Sequence, residues 1–260
     1  MKAYWLWIGL VVLGALAGGP AAQPPAAPRC FPGVPGIDNC VDGRFREYWE
    51  VNGGLPVFGY PISPPQNRQT EGGVFVTQFF ERNRLELHPE NRPPYDVLLG
   101  RLGDDRLKQL GRDWHSSPRE PGPLPGCLWF AETGHNVCDQ EIGAGFQTYW
   151  RTHGLRDPQL DAYQQSLALF GLPLTAPQME SSSPGPPILT QWFERARFEY
   201  HPEKPRAFHV LLGLLGDEIT GQHPLPPLPT PSPRPPPRPV RTAYPPPVPT
   251  GAAAALPLPP

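Results

Sequence analysis

The chain has 260 residues, of which 42 are proline and 27 glycine, with 22 basic against 24 acidic side chains and a formal net charge of −2. No block of either sign stands out, which argues against a nucleic-acid partner, because phosphate binding needs clustered positive charge. Setting aside an apolar leader and a proline-rich end leaves roughly 200 residues, enough for two small lobes.

Residues 1–22 read as a secretory signal: Lys2 is the one charge, an apolar run follows, and Ala15-Leu16-Ala17 or Pro20-Ala21-Ala22 offers a cleavage site. The run is short for a spanning helix, so no stable membrane insertion is expected after cleavage, and the mature chain is expected to be extracellular or in the cell envelope. A short linker, residues 23–29, precedes the first repeat, residues 30–111. Cys30 and Cys40 open that repeat, and Cys127 and Cys138 open a second, residues 127–222. In an exported chain, an even count at matched positions implies disulfides. Three pairings are formally possible; the local one is favoured because both copies reproduce it, and closing so short a loop restricts the unfolded chain by about 3 kcal/mol.

A helical signal follows each pair. Phe45, Tyr48 and Trp49 fall at i, i+3, i+4, with Asp42 as a candidate N-cap and Gly53 placed for a left-handed cap. Phe146, Tyr149 and Trp150, then Gly154, repeat the pattern. Residues 55–63 (LPVFGYPIS) and 170–175 (FGLPLT) read as a turn-rich loop without regular structure. The second copy carries an insertion before this loop. Asp157-Pro158 looks like an N-cap and first helical position, and Leu160, Tyr163 and Leu167 keep helical spacing for one extra helix.

The strongest signal is a duplication. Residues 78–90, QFFERNRLELHPE, return as residues 191–203, QWFERARFEYHPE, 113 positions on, with nine of thirteen residues identical. Alternating β-branched and aromatic residues on either side of a short polar stretch predict a β-hairpin. A two-residue turn with Asn83 at positive φ puts Glu81 opposite Arg84 and Phe80 opposite Leu85. Ala196 suits such a turn poorly, so a longer loop is expected in the second copy. Gln78, Phe80, Leu85 and Leu87 then share a core face; Thr77, Phe79, Glu81, Arg84, Glu86 and His88 share the other. In the second copy, Trp192, Glu194, Arg197, Glu199 and His201 take that second face. Its ordinary reading is a solvated sheet surface tied by Glu–Arg cross-strand pairs of about 0.2–1 kcal/mol each. The sharper reading is a binding face, with Phe79 or Trp192 as a stacking platform.

Each repeat closes with an apolar run, Val97-Leu98-Leu99-Gly100 or Val210-Leu211-Leu212-Gly213, that suits a strand or a short helix equally. Residues 112–126 read as a linker. Residues 223–260 read as a disordered spacer; from position 224 on, 17 of 37 residues are proline and no apolar pattern is present to build a core.

No catalytic constellation, cofactor motif or metal set emerges. His88 with Glu90 and His201 with Glu203 have a two-ligand spacing without a third ligand. Glu81 with Glu86, or Glu194 with Glu199, could pair as acid and base, but arginines flank them. The candidate binding residues are Phe79, Glu86, His88, Trp192, Arg197, Glu199 and His201. A duplicated binding module gains avidity from linked weak sites, whereas duplicated active sites are unusual.

The order Trp49…Gly53-Gly54…Phe58-Gly59-Tyr60-Pro61-x-Ser63, then Phe80…Leu85…Pro89, resembles the LGFP repeats of actinobacterial envelope proteins. Trp150, Gly171, Pro173, Phe193, Phe198 and Pro202 carry the likeness in the second copy. It covers about half of each repeat; Glu81-Arg82 replaces small residues at the turn, and the cysteine pairs have no counterpart there. The chain also resembles secreted repeat proteins of filamentous green bacteria that carry the FERARFEYHPE unit, often beside cell-wall-acting domains. The resemblance implies tethering to the cell envelope. The expectation is thus an α+β chain of two tandem repeats, each a short aromatic helix, a Gly/Pro-rich loop and a β-hairpin. It would act as a secreted non-catalytic module that binds cell-wall or extracellular polysaccharide. The rivals are a secreted hydrolase using Glu86, His88, Glu199 or His201, and a structural unit whose partner is another envelope protein.

Overall fold

The computed structural model describes residues 27–181 and 186–221; the expected signal segment and proline-rich end lie outside them. The fold is α+β, and both cysteine pairs are joined locally, Cys30 to Cys40 and Cys127 to Cys138.

The first half opens with helix α1, Gly43–Val51, which buries Phe45, Tyr48 and Trp49 and is capped by the Asp42 carboxylate accepting from Gly43 N at 2.7 Å. Gly53 takes the expected positive φ, 112°. The Gly/Pro stretch is not wholly irregular. Leu55–Phe58 form one helical turn, α2, with Pro56 at its start, where a missing N–H costs nothing. Four antiparallel strands follow in sequence order: β1 (Gln66–Thr70), β2 (Gly73–Phe79), β3 (Arg84–Leu87) and β4 (Val97–Leu99). The polar strand β1 has no apolar alternation to announce it and is held by its pairing to β2. The closing apolar run resolves as strand β4 followed by helix α3, Leu102–Gln109.

Between the halves, residues 112–126 are tied down. Arg112 pairs with Glu180 at 2.8 Å, and Trp114 Nε1 donates to Asp104 at 2.9 Å. The second half begins with a small hairpin inside its disulfide, β5 (Leu128–Phe130) and β6 (His135–Val137). Helix α4 (Phe146–Thr152) buries Phe146 and Trp150. The extra helix exists but starts later than expected. Helix α5 runs Ala162–Phe170 behind a capping box of Asp161 and Gln164, so Asp161 rather than Asp157 is the N-cap. It packs Tyr163 on Trp150, 5.1 Å between ring centroids. Gly154 does not take a left-handed cap; an added Cβ there would stand 2.7 Å from the Gln165 backbone in α5. The sheet β7 (Gln178–Glu180), β8 (Ile188–Trp192), β9 (Arg197–Tyr200), β10 (Val210–Leu212) repeats the first order, and helix α6 (Leu215–Thr220) closes it.

The duplicated hairpin differs from the expected two-residue turn. Phe79 pairs with Arg84 and Trp192 with Arg197, leaving four-residue loops of the same form in both copies. Phe80 N donates to Asn83 O, and Phe193 N to Ala196 O, each at 2.8 Å, and no non-glycine residue has positive φ among the described residues. The loops are held from outside. Glu81 N and Arg82 N donate to Tyr60 O and Phe58 O, and Glu194 N and Arg195 N to Leu172 O and Phe170 O. Asn83 and Ala196 therefore need no special conformation. The register moves by two positions, so the division into faces survives.

What covers the second face is the main departure. Helices α3 and α6 lie over it, and one apolar cluster gathers Phe79, Trp192, Leu102, Leu107 and Leu215 from both halves. The other face builds the larger core, again from both halves, with Phe58, Phe80 and Leu85 beside Phe170, Phe193 and Phe198. The halves also clasp each other reciprocally. Gly103 N and Asp104 N donate to Glu194 O, while Gly216 N and Asp217 N donate to Glu81 O. A Cβ on Gly103 would stand 1.9 Å from Phe193 O, and one on Gly216 1.8 Å from Phe80 O. Only glycine lets each helix start come that close to the opposite hairpin.

Candidate functional site

The structure places the sequence-nominated residues in two similar rows. On β3, the Arg84 Nε donates to Glu86 Oε1 at 2.8 Å; His88 Nε2 lies 3.4 Å from Glu86 Oε2, and His88 Nδ1 lies 2.9 Å from Glu90. On β9, Arg197 Nε donates to Glu199 at 2.8 Å; His201 Nε2 lies 3.1 Å from Glu199, and His201 Nδ1 lies 3.0 Å from Glu203. The Arg–Glu pairs therefore run along one strand rather than across two, because the true register puts Thr77 and Thr190 opposite the glutamates. Each arginine also reaches the closing helix of its own half: Arg84 to Asp105 at 2.9 Å and Arg197 to Glu218 at 2.6 Å.

These rows are interior wiring rather than an open polar face. Phe79 and Trp192, expected as outward stacking platforms, are each 1% exposed. Arg68 and Arg84 lie over the Phe79 ring, Arg112 and Arg197 over Trp192, and the indole N–H of Trp192 donates to Glu180 at 2.9 Å. Helices α3 and α6 take the space a ligand would need. Glu86, His88, Arg197 and Glu199 are buried, and His201 is half-buried. Burial opposes the Glu199 charge, yet hydrogen bonds from His201 and Arg197 hold its carboxyl below the usual range. The Glu199 carboxylate in turn raises the His201 imidazole above its ordinary value.

One row does reach a cavity. A cleft of about 630 Å³ is lined by Arg84, Glu86 and His88 on one side and by Leu155, Arg156 and Asp157 on the other. Its far wall is the insertion of the second half, and the second hairpin contributes Arg195. The Asn52 side chain joins the walls: its Oδ1 accepts from Arg156 N at 2.8 Å, and its Nδ2 donates to Tyr48 O. Burial pushes the Tyr48 phenol well above its ordinary value, so the hydroxyl stays neutral. Three apolar side chains of the lining stay in contact with solvent, Val51 at 55%, Tyr95 at 40% and Leu98 at 39% exposure. The cleft can therefore offer an aromatic ring and an aliphatic surface beside ordered N–H, hydroxyl and carboxylate groups.

The row on β9 does not line that cleft. A smaller cleft of about 350 Å³ near α4 is lined by Thr148, His153, Arg206 and His209, without Arg197, Glu199 or His201. Of the nominated residues, Glu86 and His88 alone border the larger cleft. Sequence reasoning missed Asn52, Tyr95, Leu98, Arg156 and Arg195. Arg195 left one trace: both copies keep the arginine after the hairpin glutamate, Arg82 and Arg195. Among the described residues no helix is long and apolar enough to cross a membrane. Comparison with protein-family models, with curated proteins and with solved structures gives no match.

Proposed function

We propose that the chain is an exported, non-catalytic binding module whose ligand is a cell-wall or extracellular polysaccharide held in the cleft between β3 and the insertion. The observation that carries this reading is the cleft itself. Solvent-facing Tyr95 and Leu98 stand beside fixed polar groups in a space of about 630 Å³, large enough for a few sugar units. A sugar ring has apolar C–H faces and a polar rim, and such a wall matches both. The leader-like N-terminus, the two disulfides and the likeness to LGFP repeats support export and an envelope ligand. Glu86 is engaged by Arg84 and His88, which suits a positioning group better than a free acid.

Retention on purified, insoluble cell wall tests the reading. The wild type is expected to be retained, and Tyr95→Ala with Leu98→Ala to be released while keeping the same melting temperature. Equal retention of the double variant removes the cleft from the account. Release of reducing ends by the wild type, abolished in Glu86→Gln, would make the chain a hydrolase instead.

A further inference from the structure

The cleft's charges do not cancel pair by pair. Arg84 is matched by Glu86 and Asp105, at 2.7 and 2.9 Å. Glu71 is shared by Arg101 and Lys108, each at 3.7 Å. Arg195 and Arg156, both from the second half, are less well served. Arg195 donates Nε to Leu99 O at 3.2 Å and Nη1 to Glu194 at 3.3 Å. The same Glu194 also serves Arg101, at 3.1 Å, and accepts from Leu172 N. No ion pair to Arg156 is present among the described residues, and its side chain is exposed. The neighbouring Arg101 Nε is buried without a hydrogen-bond acceptor among the described residues. On the acidic side, Asp157 stands beside Arg156 and accepts from Gln159 N.

Resting on the polysaccharide reading above, we infer that the ligand is an acidic polysaccharide, a uronate chain, one of whose carboxylates seats between Arg195 and Arg156. Arg195 is fixed before any ligand arrives: its backbone N–H is bonded to Phe170 O, its Nε to Leu99 O, and its loop is clasped by Gly103 and Asp104. A cation held in place spends little conformational entropy when it binds. Desolvation lowers the Arg195 guanidinium below its ordinary value and Arg101 adds to this, against the opposing pull of Glu194, Tyr48 and Glu86. A half-buried cation whose one ion-pair carboxylate, Glu194, is shared with Arg101 gains from an incoming carboxylate, and guanidinium favours that partner by its planar, two-pronged donors. Arg156, on the insertion, meets the same group from the solvent side. Tyr95 and Leu98 then take the sugar rings. The first half has no insertion, and its counterpart arginine, Arg82, lines neither cleft, so neither repeats the Arg195–Arg156 pairing with Arg82.

Affinity electrophoresis of the oxidised full chain tests this, with polygalacturonate and its carboxyl-reduced, neutral product as the two probes, beside the wall-retention assay. The intact polymer is expected to bind at least about tenfold tighter than the reduced one, the worth of a charge-assisted hydrogen bond. Arg156→Gln should narrow that ratio without lowering the melting temperature, and Arg195→Gln should abolish it if it folds. Equal binding to both polymers overturns the carboxylate inference and leaves the polysaccharide reading in place. Binding to neither polymer, with retention on wall, overturns the inference alone. Loss of wall retention by the wild type overturns both.

Discussion

Trp192 and His201 show how far a residue's type can be read and where its role escapes. Trp192 belongs to the face that alternation assigns it, yet it is covered by Arg112 and Arg197 and packs in one apolar cluster with Leu215 of α6. Trp192→Ala is therefore expected to cost about 3–5 kcal/mol, the usual result of emptying a large buried aromatic site, measured by urea denaturation. A loss below about 1 kcal/mol would place the ring at the surface after all. His201 has a raised pKa in the folded state, with Glu199 as the chief cause. Its contribution is fully present below its unfolded pKa of about 6.5 and is lost as pH rises through the higher folded value. The stability advantage of wild type over His201→Gln should shrink across that window. Glu199 acts with the opposite sign: its depressed pKa gives stability that is lost as pH falls through the folded value. Melting temperatures of both proteins over pH 5–9 decide the point; an advantage that grows with pH would refute the assignment.

At the scale of elements, the two hairpins matter most. Their strands were legible because β-branched and aromatic residues alternate. Their loops were not, because the loop conformation is set by carbonyls at and just after the ends of α2 and α5, more than twenty residues away in sequence. The reciprocal clasp at Gly103 and Gly216 was equally hidden, since Leu-Gly-Asp at the end of an apolar run gives no hint of a backbone contact with the other half. A methyl group at either glycine would collide with a fixed carbonyl rather than with a movable side chain. Gly103→Ala and Gly216→Ala should each destabilise by about 1–3 kcal/mol or more. Gly122→Ala, with nothing within 4 Å, should be near neutral. Chemical denaturation of the three variants makes the comparison, and equal midpoints for all three would contradict the clasp.

Taken as a whole molecule, the chain carries two copies of one motif, but both copies belong to one compact unit. The apolar clusters mix residues of both halves, and Arg106 of α3 reaches Glu218 of α6 at 3.0 Å. Neither half has a complete core without the other. Calorimetry should therefore show one transition, with calorimetric and van't Hoff enthalpies in agreement, and Gly216→Ala should lower that transition rather than split it. Two separable transitions would mean that each half closes its own core. The same mutual dependence accounts for the cleft, whose near wall is the first sheet and whose far wall is the insertion of the second half.

Local chemistry was enough to settle the α+β class, the local cysteine pairing, the aromatic helices and the two-faced hairpins. Each depends on periodicity or proximity along the chain, which residue spacing records directly. Burial of the second face, the choice of Glu86 and His88 over their copies on β9, and the recruitment of Tyr95, Leu98, Arg156 and Arg195 were decided by tertiary structure. Whether a given face meets water or another element depends on where α3, α6 and the insertion come to rest. That position is fixed by contacts between residues about a hundred positions apart, such as Gly103 with Glu194, and alternation within one segment carries no record of them.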